Sequence, residues 1–81
     1  MQFRRRYRRM LMFDIETIAE QSFMIAWDYL ERAGLIDDPD MATVELGDDI
    51  MGLLCKGETH KIRIANLAID AYRRRHAAIA A

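Results

Sequence analysis

The most reactive side chains of the sequence lie around one glycine in its second half. Cys55 and His60 flank Gly57, and a thiol and an imidazole at this separation could ligate zinc. Nothing in the sequence supplies a clear base that would make Cys55 a nucleophile. A zinc site needs a second pair of ligands, and the sequence has no matching pair. A single cysteine also excludes an intrachain disulfide. We therefore predict that Cys55 is a buried, inert thiol, and that the protein binds no metal and no cofactor.

The acidic residues are the second group that could do chemistry. They include Asp37, Asp38 and Asp40 in one segment and the adjacent Asp48 and Asp49. A calcium loop needs alternating oxygen ligands around a glycine and a closing glutamate, and that order is absent. The sequence also has no phosphate-binding glycine loop, nucleophile motif or dinucleotide fingerprint. We predict that the protein is not an enzyme, and that these acids cap helices, solubilise the chain, or imitate the phosphates of DNA.

Charge is distributed unevenly along the chain, although the net charge is only −1. Residues 1–13 have five arginines and no acid, which gives +5. Residues 14–58 have twelve acids and two bases, which gives −10, and residues 59–81 have five bases and one acid, which gives +4. An acidic middle between basic ends favours self-association or internal neutralisation as readily as binding to nucleic acid.

The basic leader, residues 1–13, is either flexible or a short amphipathic helix, because its apolar residues recur at helical spacing between arginines. Such a segment could contact a phosphate backbone or an anionic membrane, or pack against the acidic part of the chain. Met10 and Met12 are alternative starts that would remove the arginines. The candidates for nucleic-acid contact are Arg4, Arg5, Arg6, Arg8 and Arg9.

The apolar runs are too short for targeting or for a membrane span. Met10–Phe13 has four apolar residues before an acid follows, whereas a signal peptide needs about 7–15. The longest later run, residues 23–27, falls far short of the roughly 20 residues of a transmembrane helix. We predict a cytoplasmic protein of bacterial type, with no transmembrane segment and with nucleic acid a less favoured partner than protein.

Hydrophobic periodicity predicts an all-α domain over residues 14–81, with helices at about 15–33, 39–56 and 60–77. Asp14 is a predicted N-cap of the first helix, and Gly34 is its predicted stop. Asp38 and the proline that follows it predict the start of the second helix. Short connections favour an up-down-up arrangement of three helices.

Two features of the second and third helices remain open in the sequence. Residues 42–46 alternate as a short strand would, although the longer pattern favours a helix that is kinked or broken at Gly47 and ends at Gly57. Thr59 is a candidate cap of the third helix.

The third helix is apolar over an arc of roughly 220°, which is wider than one buried stripe requires. We therefore predict that a second copy of the chain covers one side of it. A homodimer is the expected assembly, with a basic protein as a further potential partner. The residues expected to form the core and the dimer seam are Met24, Trp27, Ile64, Leu67 and Tyr72.

The segment TVELGDDIMGLLCKGETHKIRIANLAIDAY is similar to the ribbon-helix-helix DNA-binding proteins. Those proteins have a short strand, a helix, a glycine turn and a second helix with an Ala-Ile…Tyr pattern, as at Ala68, Ile69 and Tyr72. The resemblance covers less than half of the chain, its first helix would be short, and Glu45 replaces a neutral or basic residue. It implies a small nucleic-acid-binding regulator as the alternative function.

Overall fold

A computed structural model of the chain describes the backbone of residues 2–80 and the side chains of residues 15–77. It contains three α-helices: α1 (Gln2–Arg32), α2 (Pro39–Cys55) and α3 (Lys61–Ala80). Each helix packs against both of the others, and the described residues contain no strand. The predicted all-α, three-helix unit is confirmed.

The ends of the helices follow local backbone chemistry. The Asp38 carboxylate accepts hydrogen bonds from the amides of Asp40 and Met41, which caps α2 as predicted. Gly34 and Gly57 have φ values of 70° and 96°, a left-handed conformation that glycine adopts without a Cβ penalty. Each is followed by an amide that bonds back to the carbonyl five residues earlier, at 2.9 Å after Gly34 and 3.1 Å after Gly57. Both predicted stops are therefore confirmed as Schellman-type caps.

Two predicted helix starts differ from the structure. α1 is continuous through Asp14 and begins at Gln2, because residues 2–13 are mostly strong helix formers with no glycine or proline. The side chains of the leader lie outside the described residues, so its placement and its contacts stay predictions. α3 begins at Lys61, and the His60 carbonyl accepts its first intrahelical bond at 2.9 Å, so Thr59 lies one residue too early to be the cap.

α2 resolves the ambiguity between strand and helix. Residues 42–46 are helical, and the helix is continuous through Gly47 without a break. The strand that the ribbon-helix-helix resemblance requires is therefore replaced by helix, and that part of the resemblance is wrong. The apolar residues from Ala42 to Leu54 are numerous enough for helical packing to outweigh a five-residue alternation.

The core lies along the axis of the bundle and is built largely from small side chains. Its buried hydrophobic residues are Ala26, Leu30, Ala42, Leu46, Ile50, Ile64, Ala65, Ala68, Ile69 and Tyr72. Four of these are alanines, which let helices approach closely but bury little apolar area each. A chain of 81 residues with such a core has only modest stability of its own.

α3 is buried more completely by its own chain than its sequence predicts. Ile64, Ala65 and Ala68 are 0% exposed, because α1 and α2 of the same chain cover two sides of the helix. Leu67 and Ala71 are partly buried, and Ile62 is exposed. The wide apolar arc of α3 therefore does not itself require a second copy, which corrects the argument that the sequence suggested.

Ser22 is the exception to the apolar character of this core. It is 0% exposed on the inner face of α1, and its hydroxyl has no hydrogen-bond partner among the described residues. A buried hydroxyl without a partner carries a desolvation penalty of about 1–3 kcal/mol.

Replacing Ser22 with alanine should therefore stabilise the protein. We expect Ser22→Ala to raise the free energy of unfolding in urea by about 1 kcal/mol, because it removes the unsatisfied hydroxyl and adds some helix propensity. Glu20→Ala, at an exposed position of the same helix, measures the contribution of propensity alone. A destabilised Ser22→Ala variant would show that the hydroxyl has a compensating partner.

Candidate functional site

The outer face of α2 carries large apolar side chains that the chain itself does not cover. Met41, Val44 and Met51 are 56%, 57% and 53% exposed, and Cys55 is also exposed. These residues follow a spacing of three and four, so they share one side of the helix with Asp48. We name this set the outer stripe: Met41, Val44, Asp48, Met51 and Cys55.

The outer stripe lies opposite the face of α2 that packs into the core. Ala42, Leu46 and Ile50 are at most 2% exposed, and at about 100° per residue they point away from Val44 and Met51. α2 is thus apolar on both its inner and outer sides. A helix of this kind is normally enclosed on all sides, but here one side faces solvent.

A shallow groove between α1 and α2 lies next to the outer stripe. It is lined by Phe23, Met24, Trp27, Asp28 and Thr43, and Thr43 directly precedes Val44 of the stripe. The rings of Phe23 and Trp27 are stacked with their centroids 5.8 Å apart. Met24, at 69% exposed, has the most exposed large apolar side chain of those described. The groove therefore places a tryptophan and an exposed methionine on a side of α2 that adjoins the outer stripe.

The tryptophan of the groove makes a side-chain hydrogen bond within α1. The Trp27 indole donates a hydrogen bond to the Glu31 carboxylate, with Nε1 3.3 Å from Oε2. This bond leaves the indole ring partly accessible rather than buried among the core residues. A tryptophan held at the rim of an apolar groove is a residue type that often dominates binding at protein interfaces.

Polar contacts from α3 hold the side of α2 that adjoins the outer stripe. The Arg75 guanidinium donates to Glu45 at 2.8 Å and to both carboxylate oxygens of Asp49 at 3.0 Å. His76 Nε2 lies 3.0 Å from Glu45 Oε2, and its ring stacks on Tyr72 with centroids 4.0 Å apart. We name these five residues the α2–α3 polar cluster.

The polar cluster also reaches the connection between α1 and α2. The buried Tyr72 hydroxyl donates to the Leu35 carbonyl at 3.3 Å, so one side chain links α3 to the turn after α1. Burial raises the pKa of Tyr72, and the negative charge of Glu45 raises it further. The hydrogen bond with Glu45 raises the pKa of Arg75, and the bond with Asp49 adds to this. Tyr72 is neutral and Arg75 charged at neutral pH, as their ordinary pKa values already require, and both shifts act in the same direction.

The hydrogen bond from Arg75 lowers the pKa of Glu45 below its ordinary value of 4.5, although burial opposes part of this shift. The contacts with His76 lower it further. Glu45 and Asp49 therefore have their charges matched within the chain. Asp40 and Asp48 are exposed and form no ion pair with the described side chains. The outer side of α2 is thus apolar and negatively charged.

The predicted interaction residues fall into two groups. Ile64 and Tyr72 are at most 1% exposed and belong to the core of the single chain. Leu67 is partly buried beside α2, while Met24 and Trp27 lie on the groove. The structure therefore brings together only Met24 and Trp27 as accessible neighbours, and whether they form a dimer seam stays a prediction.

Cys55 is exposed, so the prediction of a buried thiol is wrong. A prediction that buries Cys55 needs all the apolar residues of α2 on one broad arc, but the buried face is centred on Leu46, and Cys55 points the other way. The same assumption places Val44 and Met51 in the core, whereas the structure leaves both more than half exposed. The signal in the sequence is the spacing 41, 44, 48, 51, 55, which is the seam pattern of a helix that packs against a partner.

Other predicted features lie partly outside the described residues. The side chains of Arg4, Arg5, Arg6, Arg8 and Arg9 are among those not described. Over residues 15–77, no three His, Cys, Asp or Glu side chains gather as metal ligands. Within the same part of the chain, no helix combines the length and apolar character needed to cross a bilayer.

Comparisons with known proteins give no match. No family model matches the chain, and no curated protein or solved structure matches it significantly. The function must therefore be inferred from the surface just described.

The pKa of Glu45 leads to a prediction about stability and pH. Because this pKa is lower in the folded chain, its contribution to stability is present above pH 4.5 and is lost as the pH falls through the folded value. We expect Glu45→Gln to destabilise the protein at about pH 7, and the difference from wild type to shrink toward about pH 3, in urea unfolding. Asp70→Asn, at an exposed site on α3, is the control. A difference that stays constant with pH would contradict the assignment.

Proposed function

We propose that this protein is a non-catalytic helical module that acts by self-association and by binding other proteins. The observation that supports this proposal is the exposed apolar stripe on the outer face of α2. Isolated apolar residues at a surface are common and need no explanation. A heptad-spaced row of three, each more than half exposed and adjoining a tryptophan groove, is typical of an interaction surface.

The charge of the surface favours a partner that is both apolar and basic. Asp28 lines the groove but is already paired with Arg32 at 3.3 Å, whereas Asp40 and Asp48 on the outer side of α2 form no ion pair with the described side chains. A partner with arginine or lysine near its apolar contacts would complement these carboxylates. Partners with acidic surfaces would be repelled. This selectivity suits a second copy of the chain, whose ends are basic, as well as a basic protein.

A change on the outer stripe tests self-association directly. We expect the wild-type protein to be a dimer at micromolar concentration in sedimentation velocity and light scattering. Val44→Glu should weaken the dimer about tenfold or more, because it adds a charge to an apolar contact that already includes Asp48. The thermal stability of the variant monomer should change little, since Val44 is 57% exposed.

The matched control is Ile62→Glu on α3. Ile62 is 47% exposed, so it loses a comparable apolar group, but it lies on another helix and outside the stripe. This variant should associate as the wild type does. Equal weakening by both changes would mean that the effect is nonspecific, and a wild-type monomer at all concentrations would rule out self-association.

A further inference from the structure

Two identical copies of the outer stripe are poor partners for each other. Packing α2 against α2 of a second copy would place Asp48 of each chain near the middle of the shared seam, and each Asp40 would add a further negative charge. None of the five stripe residues is basic, and Lys56, which follows Cys55 and lines one shallow pocket with Asp48, is a single positive charge in each copy against these two acids. Like charges in a partly desolvated contact are unfavourable, so the stripe is better suited to a different, basic segment.

The leader of the same chain has the complementary chemistry. Its apolar residues Phe3, Tyr7, Met10 and Leu11 are spaced by four, three and one, which is the pattern of a helix that lays one face on an apolar surface. Five arginines lie between them. A helix with this sequence offers apolar contacts to Val44 and Met51 and positive charge to Asp40 and Asp48.

The geometry of α1 prevents the leader from reaching the stripe of its own chain. α1 is continuous from Gln2 to Arg32, a length of about 46 Å, whereas α2 is about 26 Å long. The first part of α1 therefore extends beyond the end of α2 at Cys55, since the two helices are antiparallel neighbours. The stripe faces away from α1, on the side of α2 opposite the core.

From these observations we infer that residues 2–13 of one copy bind the outer stripe of a second copy, and that the exchange is reciprocal. This inference rests on the proposed self-association and specifies its contact. A two-fold axis perpendicular to α1 turns the leader of the partner antiparallel to α1, and so parallel to α2 of the first copy. The apolar part of the leader spans about 12 Å and the stripe about 21 Å, so the stripe is long enough to accommodate the leader.

Crosslinking through the native cysteine tests this arrangement. Cys55 is the one cysteine of the chain and lies on the stripe. In the register that places Phe3 beside Val44 and Met10 beside Met51, position 14 lies beside Cys55, so Asp14→Cys supplies a partner for it. Under mild oxidation we expect an intermolecular disulfide between positions 14 and 55, identified by mass spectrometry of proteolytic peptides. The wild type is the control, and efficient formation of its Cys55–Cys55 disulfide would instead show α2 packed on α2 and would overturn the inference.

Measurements of dimer affinity on the full chain distinguish the proposed contact between leader and stripe from self-association in general. Replacing the five leader arginines with glutamine should weaken the dimer about 100-fold or more and remove most of its salt sensitivity between about 0.05 and 0.5 M NaCl. Asp48→Asn should weaken it about two- to fivefold, and Asp70→Asn should leave it unchanged.

These measurements give different results if only the leader contact is wrong and if self-association itself is wrong. A dimer that persists unchanged without the leader arginines overturns the leader contact but leaves self-association in place. A wild-type monomer overturns both. Circular dichroism of each variant checks that the helices remain folded.

Discussion

The structure depends on the close packing of α3 between α1 and α2. Ile64, Ala65 and Ala68 are completely buried at this junction, and each can be buried only because two other helices cover α3 at once. Alanine at two of these three positions brings the helix axes close together. This close approach places Tyr72 where its hydroxyl reaches Leu35 and its ring supports His76. The polar cluster that fixes the side of α2 thus follows from the apolar packing.

The same packing determines which surface remains uncovered. α2 contributes Ala42, Leu46 and Ile50 to the core on one side, and α3 holds Glu45 and Asp49 on an adjacent side. The helix cannot rotate to hide Val44 and Met51 without exposing Leu46 or breaking the ion pairs with Arg75. The exposure of the outer stripe is therefore a consequence of how the described helices pack.

The sequence predicted the helices well because their signals are local. Asp38 before Pro39 and the two glycines at 34 and 57 each determine the backbone within one turn, and the structure confirms all three. The orientation of α2 could not be predicted in the same way. Its sequence is apolar on two sides, so periodicity alone does not decide whether Leu46 or Val44 faces the core. That choice is made by packing against α1 and α3 and by Arg75, thirty residues away from Glu45.

The wide apolar arc of α3 led to the prediction of a second copy for a related reason. A wide apolar arc indicates how much of a helix must be covered, but not which chain covers it. In a three-helix unit the other two helices can together cover the last one, and α1 and α2 cover α3 in this way. The uncovered apolar surface is instead on α2, whose outer side no element of the described chain covers. A core rich in alanine gives the single chain limited stability, and any molecule that binds only the folded form adds to it by mass action. Association through α2 would therefore stabilise the fold as well as perform the function, so the two properties should vary together with protein concentration.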